Sequence, residues 1–250
     1  MTLLVTANEA EENQTGAPDL KAVIAVVGLA IEARIAGIAA MIADGDRTAF
    51  LLRDAIRNGA RGIISFGVCG GLDPKLRSGK VVIASSVFAG KDEAYPSDLR
   101  WSEELLRMIP GAGYSPIAGV PSPLTSFEER RDFHATTGAV AADMESQIVA
   151  RIASEFRIPF AACRVVLNPA HRMLPRAALI QIGPEGKPRL RKIGGSVAKD
   201  PRQLLRLSRL AVDAIIAVLA LRWAKQQLGT HLGFPHLHGR LPLRLLHFKQ

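Results

Sequence analysis

The feature that most constrains the fold is a continuous apolar run, Ala22 to Leu29 (AVIAVVGL), rich in β-branched residues. A run without polar alternation is typical of a strand buried on both faces, as in a parallel or mixed sheet. Similar runs predict further buried strands at Gly62 to Phe66, Lys80 to Ser85 and Pro159 to Leu167. Apolar residues at helical spacing predict helices over Arg47 to Asn58 and Pro201 to Leu228. We therefore expect an α/β domain.

A glycine-rich segment, Gly67-Val68-Cys69-Gly70-Gly71, follows directly after the second predicted strand. In open α/β sheets, ligands bind at the carboxyl ends of strands, and glycines allow the backbone to approach a ligand closely. Phe66, Gly67, Gly70 and Gly71 are therefore candidate substrate-binding residues.

A carboxylate-bearing segment, Asp143-Met144-Glu145, joins a predicted strand (Ala139 to Ala142) to a predicted helix (Glu145 to Phe156). Asp143 is well placed as the N-cap of this helix. The Glu145 carboxylate can accept hydrogen bonds from two vicinal hydroxyls, or it can simply complement the positive helix N-terminus. Met144 can pack against a ligand or fill the core.

The charge of the chain is unevenly distributed. Of a net charge of +9, much lies in the basic C-terminal part. Residues 229–250 combine Leu and Phe with Arg, His and Lys and contain no acid, a composition that suits either an anionic membrane surface or a disordered tail. Residues 1–21 are acidic and do not resemble a signal peptide. We expect a flexible acidic tail at 1–21, one domain at 22–228 and a basic apolar tail at 229–250.

Other features limit the compartment and the partners. Cys69 and Cys163 lie in apolar runs that suit buried free thiols, so we expect a reducing, cytoplasmic location and no metal site. The longest apolar stretch, Ala214 to Leu221, is shorter than the roughly 20 residues that cross a bilayer. No pattern typical of nucleic-acid binding is visible. The protein is expected to be cytoplasmic, with peripheral contact to the inner membrane face as an option.

The order of these segments resembles the purine nucleoside phosphorylase and methylthioadenosine/adenosylhomocysteine nucleosidase superfamily over about residues 22–226, above all in MESQIVARIASEFRIPFAACRVV. The stretches VVGLAIEARIA, IISFGVCGGLDPKL and NPAHRMLPRAAL look most like the hopanoid-associated phosphorylase branch, which is linked to adenosylhopane. The resemblance implies a single-domain, three-layer fold with a central mixed β-sheet flanked by helices. It also implies a homo-oligomer that releases adenine from an adenosylated hopanoid, with phosphate or water accepting the sugar and no cofactor.

The resemblance also implies roles for single residues. Met144 would pack under the ribose, and Glu145 would bind its hydroxyls. Asn168 falls where the family's N-glycosidic enzymes usually have an Asp that protonates or hydrogen-bonds the purine at N7, and an amide cannot supply that proton. Three explanations are open: Asn168 donates a hydrogen bond without proton transfer, as in a related branch acting on 6-oxopurines; His171 supplies the proton; or activity has been lost. We favour the first explanation.

The sequence does not decide whether water or phosphate accepts the sugar. Glu32 lies near the position of a water-activating Glu in the family's nucleosidases, and Arg34 is a candidate phosphate ligand; alternatively, the two form a surface pair at the start of a helix. Phosphorylases of the superfamily place Arg and Ser where this chain has Ser65 and Val68, and Val68 cannot bind an oxyanion through its side chain. Backbone amides of Gly67 to Gly71 could still hold phosphate, so both hydrolysis and phosphorolysis remain.

Three competing functions follow from these features. One is a nucleosidase acting on methylthioadenosine or adenosylhomocysteine. Another is a non-catalytic nucleoside-binding protein, suggested by Asn168. The third is a peripheral membrane adaptor that uses only residues 229–250.

Overall fold

A computed structural model describes residues 23–37, 39–172 and 202–235. Within them the strands are β1 (Val23–Val27), β2 (Ala39–Ile42), β3 (Gly62–Gly71), β4 (Val81–Ala89), β5 (Glu93–Pro96), β6 (Gly113–Gly119), β7 (Ala141–Asp143) and β8 (Phe160–Asn168). The helices are α1 (Ala30–Ala36), α2 (Gly45–Arg57), α3 (Leu99–Met108), α4 (Phe127–Thr137), α5 (Ser146–Phe156) and α6 (Arg202–Leu228). The predicted acidic tail at 1–21 and residues 236–250 of the predicted C-terminal tail lie outside the described residues.

The strands form one mixed sheet. Its order is β2-β1-β3-β7-β6-β4-β5, and β8 pairs with both β3 and β4. Strand β1 runs parallel to both β2 and β3, and β8 runs parallel to β3. In contrast, β7 runs antiparallel to β3, and β4 runs antiparallel to β8. Strands β3, β7, β6, β4 and β8 form a closed ring, because β8 pairs with β3 as well as with β4.

Helices cover the sheet on both faces. One core joins buried sheet residues such as Ile64 to α1, α3 and α6, with Trp101 and Leu221 among its members. The other joins sheet residues such as Ile63 to α2 and α5. Alternate residues of one strand thus enter different cores, as the two-residue period of a strand requires. The expected three-layer arrangement, a mixed sheet flanked by helices, is confirmed.

The glycine-rich segment is the main local difference from the sequence expectation. The predicted strand that ended at Phe66 continues to Gly71. It continues because neighbouring strands pair with the glycines on both sides: Gly67 is opposite Arg164 of β8, and Gly70 is opposite Ala142 of β7. The glycines are therefore part of the sheet.

The first residues of the predicted C-terminal tail contact the domain. Leu232 is fully buried, and its carbonyl oxygen accepts a hydrogen bond from Trp101 Nε1 at 2.9 Å. The ring of Phe234 meets that of Trp101 edge to face, with centroids 4.8 Å apart. Residues 229–235 thus pack on the domain. Among the helices described, none has both the length and the hydropathy needed to cross a bilayer.

Candidate active site

The carboxyl ends of the parallel strands β1, β3 and β8 gather polar side chains at one edge of the sheet. Gly70 is central to this edge, since it is registered with Asn168 on one side and Ala142 on the other. A register shift follows Cys69, which pairs with Val166, so that Leu167 is passed over and Asn168 faces Gly70. Such a bulge re-aims the side chains that follow it.

A buried arginine lies at the centre of the cluster. Arg164 is completely buried; its Nε lies 3.1 Å from Asp143 Oδ2, and its Nη2 lies 3.1 Å from Glu145 Oε2. It also donates to the Ser65 hydroxyl, which lies 2.8 Å from the Ser146 hydroxyl. Burial alone would lower the pKa of Arg164, but the surrounding carboxylates raise it, so the guanidinium stays charged.

Asp143 fixes the start of helix α5. Its Oδ1 accepts hydrogen bonds from the backbone amides of Glu145 (2.9 Å) and Ser146 (2.7 Å), and its Oδ2 accepts from the Ser146 hydroxyl (2.6 Å). Helix α5 begins at Ser146, one residue later than the sequence indicated, so Asp143 caps the helix from two residues before the N-cap position. The carboxylate satisfies amides that the helix itself leaves unpaired. Asp143 therefore holds the Met144-Glu145 segment in place.

Glu145 lies against the end of strand β1. A Cβ at Gly28 would be 2.6 Å from Glu145 Oε1, so only glycine allows this close approach. Burial, together with the Asp143 and Glu32 carboxylates, raises the pKa of Glu145 to about 7 despite the Arg164 guanidinium. The adjacent Met144 is 43% exposed, so it does not fill the core. Both side chains remain placed for contact with a ligand.

Glu32 joins two loops through its carboxylate. Its Oε2 accepts from the amides of Gly28 (2.8 Å) and Leu29 (2.9 Å), and its Oε1 accepts from the amide of Val68 (2.7 Å). A Cβ at Gly67 would come within 2.8 Å of this carboxyl group. Burial raises the pKa of Glu32, although Arg164 and the three amides act in the opposite direction. The group is thus engaged as an acceptor that ties the β1–α1 turn to β3.

Asn168 is buried at the end of β8, and its carboxamide has a fixed orientation. Its Nδ2 donates to the backbone carbonyl oxygen of Arg172 at 3.2 Å. The same oxygen accepts from Arg130 Nη1 of α4 at 2.9 Å, and the Arg172 side chain pairs with buried Asp213 of α6. Because a carbonyl oxygen only accepts hydrogen bonds, the Asn168 atom that faces it must be Nδ2 and not Oδ1. The positions of the nitrogen and oxygen of this side chain, which are often hard to distinguish, are therefore defined.

Three candidates from the sequence lie away from the carboxylate cluster, face solvent or are buried in the core. Arg34 is exposed and lines an opening between α1 and α6, together with Arg222 and Lys225, whereas the carboxylate cluster lies at the strand ends. Its predicted role as a phosphate ligand of the active site therefore has no geometric support. His171 is exposed in the turn after β8. Phe66 is completely buried in the core that faces α1 and α6.

The charge of the cluster bears on what can bind there. Asp143, Glu145 and Glu32 surround one guanidinium, so the described site is acidic at its centre. The Val68 amide is already committed to Glu32, which removes one donor from the glycine segment considered for phosphate. No group of three or more His, Cys, Asp or Glu side chains in the described part of the chain has the geometry of a metal site. The arrangement suits hydroxyl donors better than anions.

The sequence did not indicate that Arg164 lies at the centre of the site or that Ser65 and Ser146 contact it. An arginine within the apolar run FAACRVV was the available signal, because a buried charge must be paired. Its partners could not be identified, since Ser65 is 99 residues away in the sequence. Arg130, which fixes the Arg172 carbonyl, had no signal in the sequence.

Comparisons with solved structures agree with this fold. A Campylobacter jejuni 5′-methylthioadenosine/S-adenosylhomocysteine nucleosidase is 12% identical, with a TM-score of 0.53 over 80% of this chain and 98% of that one. An Asp-to-Asn mutant of the Helicobacter pylori nucleosidase, with 5′-methylthioadenosine in its active site, is 14% identical, with a TM-score of 0.55 over 82% and 98%. A Streptococcus pyogenes S-adenosylhomocysteine nucleosidase in complex with 5-methylthiotubericidin is 15% identical, with a TM-score of 0.53 over 59% and 84%. At these identities the likeness concerns the fold alone.

The sequence itself supplies the family. No curated protein matches it. The model of one protein family, described as the phosphorylase superfamily, matches residues 27–197, well over half of the chain. The match includes the Glu32 turn, the glycine strand, the Asp143-Met144-Glu145 segment and Asn168. The chain therefore belongs to the phosphorylase superfamily.

Proposed function

We propose that this protein cleaves the N-glycosidic bond of a purine nucleoside and releases the base. The observation that carries the proposal is the register of Ala142, Gly70 and Asn168 on three adjacent strands. At about 4.8 Å per strand, Ala142 and Asn168 lie roughly 10 Å apart across β3. The sugar-binding candidates Met144 and Glu145 follow Ala142, and the base-binding candidate is Asn168. A nucleoside can thus lie along this edge with its two halves on opposite sides of Gly70.

The base is proposed to be adenine. One N–H of Asn168 is used by the Arg172 carbonyl, so a second N–H and the carboxamide oxygen remain for a ligand. Adenine offers an acceptor at N7 and a donor at its 6-amino group, which is the pattern that an Asn side chain pairs with bidentately. A neutral 6-oxopurine offers two acceptors at that edge, so it could accept from the free N–H but would leave the carboxamide oxygen without a donor.

Asn168 is proposed to hydrogen-bond the departing purine without giving it a proton. A hydrogen bond at N7 stabilises the negative charge that develops on the base as the glycosidic bond breaks. General-acid catalysis typically contributes about 10²–10⁴-fold, so turnover should be slower by about that factor than with a proton donor. The solved Asp-to-Asn mutant of the Helicobacter pylori nucleosidase holds 5′-methylthioadenosine in its active site. A nucleoside-binding protein without turnover is therefore the second candidate.

Water is proposed as the sugar acceptor. Phosphate would bring negative charge next to three acidic side chains, and among the described residues the one guanidinium at this position is already paired. The carboxylates can instead accept hydrogen bonds from the ribose hydroxyls and from water. Hydrolysis is thus favoured over phosphorolysis on electrostatic grounds.

The 5′ substituent is proposed to be a hopanoid. Support comes from the resemblance of VVGLAIEARIA and IISFGVCGGLDPKL to the hopanoid-associated branch and from the basic, apolar C-terminal sequence. Small thioethers, as in methylthioadenosine and adenosylhomocysteine, are the alternative substrates. The cytoplasmic location and the homo-oligomer expected from the sequence stay predictions.

Chromatographic assay of free adenine tests these proposals. The protein is incubated with adenosylhopane, 5′-methylthioadenosine or S-adenosylhomocysteine, each with and without phosphate. Adenine from adenosylhopane without phosphate is the expected result, and a requirement for phosphate would overturn the choice of water. Faster release from the small thioethers would overturn the hopanoid proposal.

A substitution separates an enzyme from a binding protein. Asn168→Asp restores a titratable group and should raise adenine release by about 10²–10⁴-fold if the pocket lacks only its acid. Asn58→Asp, at the exposed end of α2, is the matched control. No release by either the wild type or Asn168→Asp, with nucleoside still bound, would establish a binding role.

A further inference from the structure

Helix α6 exposes a row of large apolar side chains on the side that faces away from the sheet. The row, which we call the apolar stripe, consists of Val212, Ile215, Ile216, Leu219 and Trp223, each between 41% and 60% exposed. Their spacing of three and four residues places them along one side of the helix. The opposite side carries Ala217, Leu221 and Ala224, which are buried in the core. A helix that is apolar on both sides normally buries both.

A basic opening adjoins the apolar stripe. It has a volume of about 340 Å³ and lies between α1 and α6. Its lining, which we call the basic pocket, consists of Ile31, Arg34, Ile35, Arg222, Lys225 and Gln226. It holds three cations and no acid. Arg222 directly precedes Trp223 in the chain, so the pocket and the stripe are continuous.

The cations of the basic pocket are not neutralised by carboxylates in the part of the chain that the structure describes. Within the described residues, neither Arg34 nor Arg222 has a carboxylate partner, whereas Lys225 Nζ donates to the Gly229 carbonyl oxygen at 2.8 Å. The sole acid in the sequence of α6 is Asp213, which is buried and paired with Arg172 and Ser78. The exposed charge of α6 is therefore entirely positive.

We propose that the apolar stripe and the basic pocket together form a docking surface for an anionic lipid bilayer. Apolar side chains on one side of a helix enter the boundary between headgroups and acyl chains, and neighbouring basic residues bind the anionic headgroups. The guanidinium groups of Arg34 and Arg222 match phosphate geometry, and Trp223 suits the membrane interface. The proposal stands independently of the reaction proposed for the active site.

A second copy of the chain fits this surface less well. In a two-fold symmetric dimer the same patch meets itself, so Arg222 of each copy would be brought towards the basic pocket of the other without an acid on either α6. A stable interface also needs roughly 800 Å² from each partner, more than five half-exposed side chains supply. An anionic bilayer can both bury the apolar stripe and neutralise the basic pocket.

Docking through α6 would also orient the active site. Asp213, adjacent to Val212 of the stripe, pairs with Arg172, whose carbonyl oxygen holds Asn168. Ile216 packs on the β3–β4 turn, where a Cβ at Gly79 would lie 2.8 Å from its Cγ2. The end of the stripe near Val212 is thus directly linked to the edge that carries the base-binding amide.

Vesicle flotation tests the proposal with full-length protein and phosphatidylcholine vesicles that either contain or lack phosphatidylglycerol. The wild type is expected to float only with the anionic vesicles, less so at high salt. Replacing both Arg34→Gln and Arg222→Gln should weaken binding about 30-fold, because each basic residue near an anionic surface contributes about fivefold. Ile215→Ser with Leu219→Ser should abolish flotation, because the stripe loses its apolar contact with the acyl chains. Phe50→Ser and Arg61→Gln change exposed residues elsewhere and should float as the wild type does.

Tryptophan fluorescence provides a second readout. Of the two tryptophans, Trp101 is buried and Trp223 is exposed, so a blue shift on vesicle addition reports insertion of the stripe. The proposal is overturned if the wild type ignores anionic vesicles or if both double variants bind as the wild type does. It is also overturned if deletion of residues 236–250 alone abolishes binding, or if the stripe variant instead dissociates an oligomer on sedimentation.

Discussion

The side-chain amide of Asn168 donates to the backbone carbonyl oxygen of Arg172 at 3.2 Å, and this bond determines what the site can offer a base. Because Arg130 donates to the same oxygen, the acceptor cannot turn away from Asn168 without losing a second bond. The carboxamide therefore presents one donor and one acceptor, which match the N7 and 6-amino groups of adenine.

Glu145→Gln is expected to lower kcat/KM for nucleoside cleavage by about 10- to 100-fold. The carboxylate can accept from both ribose hydroxyls, and hydrogen bonds to charged groups contribute about 1.5–3 kcal/mol. Steady-state kinetics and nucleoside binding check this. Glu155→Gln is a suitable control in α5, the helix that follows Glu145, since Glu155 is exposed and pairs with Arg53. Unchanged kinetics of Glu145→Gln would remove Glu145 from the sugar site.

Nucleoside affinity is expected to fall as the pH decreases through about 7. Burial raises the pKa of Glu145 to about 7, and the ribose hydroxyls bind its ionised form. Affinity should therefore be full above this pKa and decline below it, with binding coupled to proton release in the lower range. Calorimetric titration between pH 6 and 8.5, in buffers of different ionisation enthalpy, measures both effects. A pH-independent affinity, or the same pH dependence in Glu145→Gln, would refute the assignment.

Arg164→Met is expected to lower the free energy of unfolding by about 3–5 kcal/mol at pH 8, because it leaves buried carboxylates without their cation. Urea denaturation followed by circular dichroism measures the change. Arg61→Met, at an exposed position, should shift the value by no more than about 0.5 kcal/mol. A loss of similar size in both variants would show that Arg164 does not hold the cluster together.

Glu32→Ala is expected to destabilise the fold by about 3 kcal/mol or more, since three amides lose their acceptor at about 1–3 kcal/mol each. Chemical denaturation is the measurement, and Glu128→Ala in the exposed first turn of α4 is the control. Loss of turnover with an unchanged unfolding free energy would instead make Glu32 a purely chemical participant, as the family resemblance suggests.

The parts of the fold that were predictable from sequence are those with continuous apolar patterns. Strands β1, β3, β4 and β8 and helices α2, α5 and α6 were identified because each buries most of one face or both. The exposed strand β5 lacks such a pattern and was missed, as was β2, whose four apolar residues are too few to distinguish a strand from a helix. The glycine segment was placed directly after the strand, but it forms part of the strand because pairing with β7 and β8 outweighs the low strand propensity of glycine.

The site was predictable as a set of segments but not as a set of contacts. Asp143 was identified as a helix cap from its local position, whereas the engagement of Glu32 depends on Val68, 36 residues away. The orientation of Arg34 towards the basic pocket required the placement of α6, more than 160 residues later. Local chemistry could be deduced from the sequence, and long-range partners could not.

Calorimetric binding of adenosine, inosine and 7-deazaadenosine to the wild-type protein measures whether Asn168 contacts both N7 and the 6-amino group of the base. A bidentate contact to adenine should favour adenosine over inosine by about tenfold or more, and removal of N7 should weaken binding several-fold. Inosine bound as tightly as adenosine, or an unchanged affinity for 7-deazaadenosine, would contradict the proposed contact between Asn168 and an adenine base.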